Sequence, residues 1–263
     1  MTTAQQSKTK FPGTRPEGAT DEREAAARVQ EMFARIASRY DFLNHLLSFS
    51  LDRRWRRRTA QQFLAVLRCP HAQILDVCCG TGDLALALDT VRSRVLCYTA
   101  GKRSPVIGCD FVMPMLGRAR AKAMRNRRVV FAAADAIHLP YPDKTFDLLT
   151  NAFGFRNLAN YEQGLREFAR VLKPGGQMGI LDFSEPRGPF AALFRFYFRQ
   201  ILPRVGGAIS GSADAYSYLP VSVGKFPSAE EFVDLIGGCG FADVSYESWN
   251  FGSVLLHHAR KRL

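Results

Sequence analysis

From Gln73 onward the sequence alternates between short apolar runs and segments of helical periodicity, and this alternation constrains the fold more than any other feature. Runs of five to seven residues rich in Val, Ile, Leu, Ala and Phe predict strands at Ile74–Cys78, Val106–Asp110, Val129–Ala133, Phe146–Asn151 and Gln177–Phe183. Strands separated by helices pair as parallel neighbours, with helices on both faces of the sheet, so the expected class is α/β. One such helix, Asn160–Leu172, should stop at Lys173-Pro174-Gly175-Gly176. After Phe183 the pattern predicts a helix, a loop, a further helix at Ser228–Gly237, and two short strands at Phe241–Ser248 and Ser253–Ala259. Residues 89–105 are basic and irregular and read as a surface insertion between the first helix and the second strand.

The segment before the first strand is different in kind. Residues 1–20 are rich in Thr, Gln, Ser, Pro and Gly and predict a disordered tail. A helix should begin near Asp21, with Val29, Met32, Phe33, Ile36 and Tyr40 on one face. Asp52 is the expected N-cap of a second helix carrying Trp55, Phe63 and Val66, with its arginines outward. Residues 21–68 thus form a helical cover on a single domain spanning 69–263.

Composition narrows the function classes. No run of about 18 apolar residues exists and the first ten residues lack an apolar core, which predicts a cytoplasmic address. The six cysteines show no Cys-x-x-Cys spacing, and the adjacent Cys78 and Cys79 read as packed thiols, so no metal site or disulfide framework is expected. The formal charge of +12, clustered at Arg53–Arg58, Arg118–Arg128 and Arg260–Arg262, favours an anionic partner: nucleic acid, an acidic membrane surface or an anionic cofactor.

The first strand runs into Cys78-Cys79-Gly80-Thr81-Gly82-Asp83, a glycine turn that lets a ligand approach the backbone. The second strand ends at Asp110, where a carboxylate can accept ribose hydroxyls, and the third leads to Asp135-Ala136, beside an adenine amino group. One acid at a strand end is usually a cap; acids at Asp83, Asp110 and Asp135 in succession argue for a nucleoside site. A third glycine, typical of dinucleotide binders, is missing, which disfavours an NAD-linked dehydrogenase.

These segments, with Asp135-Ala-Ile-His-Leu-Pro-Tyr-Pro-Asp143, Thr145-Phe-Asp147 and Leu172-Lys-Pro-Gly-Gly176, resemble the motifs of class I S-adenosylmethionine-dependent methyltransferases. More specifically, Arg39-Tyr40-Asp41-Phe42-Leu43-Asn44, Phe153-Gly154-Phe155-Arg156-Asn157 and Ala215-Tyr216-Ser217-Tyr218-Leu219 resemble the quinone-biosynthesis C-methyltransferases. That family comprises the demethylmenaquinone and 2-methoxy-6-polyprenyl-1,4-benzoquinol methyltransferases, and the likeness runs from about Val29 onward. It implies a Rossmann-like, seven-stranded, mostly parallel sheet ending in an antiparallel strand. It implies S-adenosylmethionine held by Asp76, Gly80, Thr81, Gly82, Asp110, Phe111, Asp135, Ala136, Asn151 and Ala152, the last replacing a serine frequent in the family.

Methylating a ring carbon requires an electron-rich quinol and stabilisation of the phenolate it forms. The resemblance implies Tyr40, Arg156 and Asn157 near that ring; by their position in the sequence, His45 beside the Tyr40 motif and His138 in the Asp135 loop compete for the role of base. Phe190, Leu193, Phe194, Tyr197, Phe198 and Ile201 recur at helical spacing before Gly206, Gly207 and Gly211. Such a stripe reads either as a core face or as a hinged cover over a polyprenylated substrate at about 186–226, touching an acidic membrane surface. The strand-end leaning is toward demethylmenaquinol. No nucleic-acid partner is expected, because no Asn-Pro-Pro-Tyr-type motif and no separate basic domain is present. A non-enzymatic lipid carrier on the same fold is opposed by intact Asp110, Asp135 and Arg156. A homodimer or a biosynthetic complex is compatible with the sequence.

Overall fold

The computed structural model describes residues 11–96, 102–124, 126, 128–186, 188, 190–201, 204 and 213–263. Five parallel strands form one side of the sheet: β1 (Ile74–Val77), β2 (Val106–Asp110), β3 (Val129–Ala133), β4 (Phe146–Ala152) and β5 (Leu172–Phe183). Two more, β6 (Phe241–Trp249) and β7 (Val254–Lys261), complete a seven-stranded sheet in the order β3-β2-β1-β4-β5-β7-β6. β7 runs antiparallel between β5 and β6, pairing Ile180 with His257 on one side and Ser248 with Leu255 on the other. The strand order reverses between β1 and β4, and the carboxyl ends there open the crevice where ligands bind in such sheets.

The helices are α1 (Glu22–Ile36), α2 (Tyr40–Leu47), α3 (Leu51–Gln62), α4 (Leu64–Leu67), α5 (Asp83–Val95), α6 (Met113–Lys122), α7 (Tyr161–Val171), α8 (Phe190–Phe196), α9 (Ala213–Lys225) and α10 (Ala229–Gly238). Asp21, Asn160 and Ser228 cap α1, α7 and α10 by accepting backbone N–H bonds. Alternate residues of the strands face opposite layers. Leu75, Val77 and Leu149 pack with Leu165, Phe168 and Phe232, whereas Ile74, Val106 and Leu148 pack with Phe63, Leu67 and Leu88.

Several expectations change. Residues 11–20 are ordered rather than part of a disordered tail. The Thr14 amide donates to the Leu158 carbonyl at 2.8 Å, Arg15 donates to the Ala159 carbonyl at 2.6 Å, and Gly13 passes close against Ala159. Residues 1–10 lie outside the described residues. The first helix ends at Ile36, and Tyr40 opens a second one instead of closing the first. Asp52 does not cap α3; it lies within the first turn, buried, where it binds Arg56 on the inward side. Residues 89–95 of the expected insertion are helical, because Asp89 is a buried anchor for Arg103 and Asn126. A helix fills Ala213–Lys225, where a loop was expected, despite Pro220 in its interior.

Candidate active site

The glycine turn forms because β1 must hand over to α5 without blocking the sheet's edge. Cys78, Gly80 and Gly82 all adopt positive φ. Asp110, at the end of β2, accepts the Gly80 amide at 2.8 Å and the Val112 amide at 2.9 Å, tying the turn to the next crossover. Burial pushes the Asp110 carboxyl up, and these N–H bonds oppose that shift.

A narrow cleft lies over the turn. Its floor is Cys78, Gly80 and Asp110; its walls are Phe111, Val112 and Met115 on one side and Ala152, Gly154 and Asn157 on the other. Val29 and Phe33 of α1 and Tyr40 of α2 roof it. Two observations show that this donor set fits an adenosyl group. A Cβ built on Gly80 meets nothing within 4 Å, so the turn leaves ligand space there. Asn157 Oδ1 is buried with no hydrogen-bond partner among the described residues, on the cleft wall. Apolar faces, a carboxylate and an amide carbonyl suit a nucleoside.

Beyond Tyr40 and Phe153 lies a second cavity of about 200 Å³, mostly apolar. Tyr40, Phe153 and Phe33 line both spaces and form the partition between them. Phe153 is buried at φ 61°, a conformation that a bulky residue adopts only when the surroundings impose it. Its carbonyl accepts from Arg156 Nη1 at 2.7 Å and from Asn157 Nδ2 at 3.3 Å. The Arg156 guanidinium also donates to Asp182 Oδ1 at 2.6 Å, and Asp182 Oδ2 accepts the Arg156 amide at 3.2 Å. Burial works against the charged guanidinium, but Asp182 beside it keeps Arg156 protonated.

A second buried guanidinium, Arg56, faces the same cavity and pairs with Asp52, which also accepts from His45 Nδ1 at 2.8 Å and from Ser48 at 2.8 Å. Burial raises the Tyr40 phenol, so the hydroxyl stays protonated beside Asn44. The cavity therefore holds two cations, each with its own carboxylate, and three neutral phenols, Tyr40, Tyr197 and Tyr218, inside a wall that includes Ile36, Leu47, Trp55, Phe183 and Phe194. Such a space can take an apolar ring and stabilise negative charge developing on it.

Of the residues singled out from sequence, Gly80, Asp110, Phe111, Ala152, Asn157 and Tyr40 converge on the cleft, and Tyr40 and Arg156 on the cavity. Others are placed elsewhere. Thr81 is buried away from the cleft, donating to Asp41 at 2.5 Å and accepting from Lys122 at 2.9 Å. Asn151 spends its amide on the Val77 carbonyl and the Phe155 N–H. Asp76 is buried below the turn with Thr150 at 2.8 Å. Gly82 faces Phe131, Ala136 packs in the core with Leu139, and Asp135 accepts the Ile137 amide outside the cleft. His45 is engaged by Asp52 and Arg53 and does not line the cavity; His138 is exposed. Sequence reasoning missed Arg56, Asp182 and Asn44. The spacing of Asp52 and Arg56, four apart on a helix, was the available signal for the first. Phe194 and Tyr197 of the expected cover do line the cavity, while Gly206, Gly207 and Gly211 lie outside the described residues.

Comparison with known proteins agrees with this geometry. The model of the ubiE/COQ5 methyltransferase family matches residues 20–261. A demethylmenaquinone methyltransferase of Thermus thermophilus is 47% identical over 86% of this chain and 98% of its own length. One from Deinococcus radiodurans is 45% identical over 88% and 92%. Among solved structures, a SAM-dependent methyltransferase from Aquifex aeolicus superposes with a TM-score of 0.52 at 18% identity, covering 77% of this chain and 89% of that one. The last likeness is one of fold.

Proposed function

The chain belongs to the ubiE/COQ5 methyltransferase family, and from that premise we propose that it transfers the methyl group of S-adenosylmethionine to the ring carbon of a demethylmenaquinol, yielding menaquinol, S-adenosylhomocysteine and a proton released to solvent. The observation that carries the reading is the pair of spaces sharing the Tyr40–Phe153 partition, one offering a carboxylate and an amide carbonyl between apolar walls, the other apolar with two buried cations.

S-adenosylmethionine supplies an electrophilic methyl group on a sulfonium. Asp110, the Gly80 backbone and Asn157 would hold it, with Val112 and Met115 against the base. Arg156 keeps its charge in a buried setting and stabilises the phenolate formed when the quinol hydroxyl loses its proton. Tyr40, protonated and between the two spaces, donates a hydrogen bond that fixes the ring oxygen. Phe153 and Tyr40 exclude water and set the approach, which for methyl transfer supplies much of the rate. The apolar wall accepts the start of the polyprenyl tail. A lipid-borne substrate of this kind favours contact with an acidic membrane surface, in keeping with the formal charge of +12. No helix among the described residues is long and apolar enough to cross a membrane.

Methyl-labelled S-adenosylmethionine with reduced demethylmenaquinol tests the reading. Label should enter menaquinol with the wild type. With Arg156→Ala, turnover should fall by roughly 10²–10³ while cofactor binding is kept. Tight cofactor binding with no label in the quinol would overturn it.

A further inference from the structure

The outer face of α2 does not belong to any core. Phe42, Leu46 and Phe49, spaced four and three apart, are 60%, 42% and 77% exposed, while Leu43, a quarter-turn round the helix, is buried. An amphipathic helix normally turns its apolar stripe inward; here a second stripe faces solvent. Phe49 is held out deliberately. It and Ser50 both adopt left-handed backbone, at φ 52° and 60°, where helix ends ordinarily carry glycine or asparagine. The Ser50 amide to the His45 carbonyl at 2.6 Å and the Phe49 amide to the Leu46 carbonyl at 3.1 Å lock that turn.

The stripe is continuous with the opening of the apolar cavity. Phe49 is both highly exposed and a cavity-lining residue, so the cavity reaches the surface at its ring. Across that opening stands Tyr197, its ring 6.2 Å from Phe49 and its hydroxyl 2.7 Å from the Leu47 carbonyl. The next ring back along the chain, Phe196, is 57% exposed. Beside the stripe, Arg53 reaches back to His45 of α2 at 3.3 Å, and Arg53, Arg54 and Arg57 are all exposed along α3.

We propose that this face, α2 with Phe49 at the cavity mouth and the arginines of α3 beside it, docks on an anionic phospholipid bilayer, so that a substrate's ring enters while its tail stays in the membrane. The docking rests on the quinol reading only for its purpose; the surface stands on exposure, backbone conformation and charge. Apolar side chains at the headgroup boundary with flanking arginines are the chemistry of interfacial binding.

Flotation of the full chain with phosphatidylcholine vesicles, with and without phosphatidylglycerol, reads it directly. The wild type should bind only when phosphatidylglycerol is present, and high salt should release it. Arg54→Glu and Arg57→Glu should each weaken binding by about fivefold or more. Phe42→Ser combined with Leu46→Ser should abolish flotation yet leave turnover unchanged on a detergent-dispersed, short-tailed demethylmenaquinol. The same double variant should lose turnover on a long-tailed quinol embedded in vesicles. Equal flotation of wild type and double variant, or none by the wild type, would overturn the proposal. So would a stable dimer that the double variant dissociates, which would make the stripe an interface between copies. Absence of methylation on every quinol, with vesicle binding intact, would instead remove the substrate reading and leave the surface.

Discussion

Glycines that look equivalent in the sequence have opposite duties in the structure. A methyl group on Gly80 would project into open ligand space, whereas one on Gly154 would lie 2.5 Å from the Cys78 Cβ. Gly80→Ala should therefore raise the KM for S-adenosylmethionine with only the modest destabilisation of its φ of 54°; Gly154→Ala should lower the melting temperature outright. Titration calorimetry beside thermal unfolding separates the two, and equal loss of stability would contradict the distinction. Asp76 gives a pH signature. Burial pushes its carboxyl from 3.8 to about 7, so the folded state holds a proton that the unfolded chain has released. Stability from this group is thus greatest below about pH 4, falls as pH rises toward 7, and stays low above that. Asp76→Asn, which can still accept from Thr150, should erase that slope and raise stability at pH 8 by at most about 4 kcal/mol, measured by urea unfolding across pH. At this scale the sequence showed Asp110 and Gly80 clearly, because strand ends and turns are local. It could not show that Thr81 and Asn151 hydrogen-bond within the fold, since Asp41 lies 40 residues from Thr81 and Phe155 is an ordinary apolar residue.

Between elements, two polar clusters hold the site in register. Asp182 on β5 anchors the turn after β4 through Arg156, with both groups buried. Asp182→Asn leaves a buried guanidinium without its counter-charge and should cost about 3–5 kcal/mol in chemical denaturation, with turnover falling alongside. Asp41 of α2 reaches Thr81 at 2.5 Å and Lys122 of α6 at 2.7 Å, and Lys122 also grips Asp83 at 2.6 Å. That clasp fixes the helix carrying Tyr40 to the cofactor turn. Because these side chains are partly exposed, Asp41→Asn should cost under about 1 kcal/mol of stability, yet speed S-adenosylmethionine release up to about fivefold in stopped-flow displacement. An unchanged release rate would rule out the clasp as a gate. Most strands and α7 were legible to within two residues, because periodicity and burial coincide there, but β5 begins at Leu172, so the Lys173-Pro174-Gly175-Gly176 segment expected as a turn is the start of the strand. α9 was not legible. Pro220, Gly224 and four tyrosine or serine positions disfavour a helix locally, and it forms through tertiary contacts such as Tyr218 with Thr14 and Val223 with Leu43. The inward turn of Arg56 was signalled only by its four-residue spacing from Asp52, which the surrounding run of arginines obscures.

For the molecule as a whole, the alternation of strands and helices was enough to assign the parallel sheet, and the position of the final strands required the coordinates. β5 ends at Phe183, but the neighbour that completes it, β7, does not begin until Val254. During synthesis the edge of β5 waits, unpaired, while the cavity cover, α9 and α10 emerge. An exposed strand edge is a template for pairing with any other chain. A ribosome that stalls, or a message that stops, anywhere in that interval leaves a product whose site residues Tyr40, Asp110 and Arg156 are all present and whose sheet cannot close. Such a fragment is a client for chaperones rather than a smaller enzyme, and the time taken to translate that interval is a period of vulnerability written into the strand order.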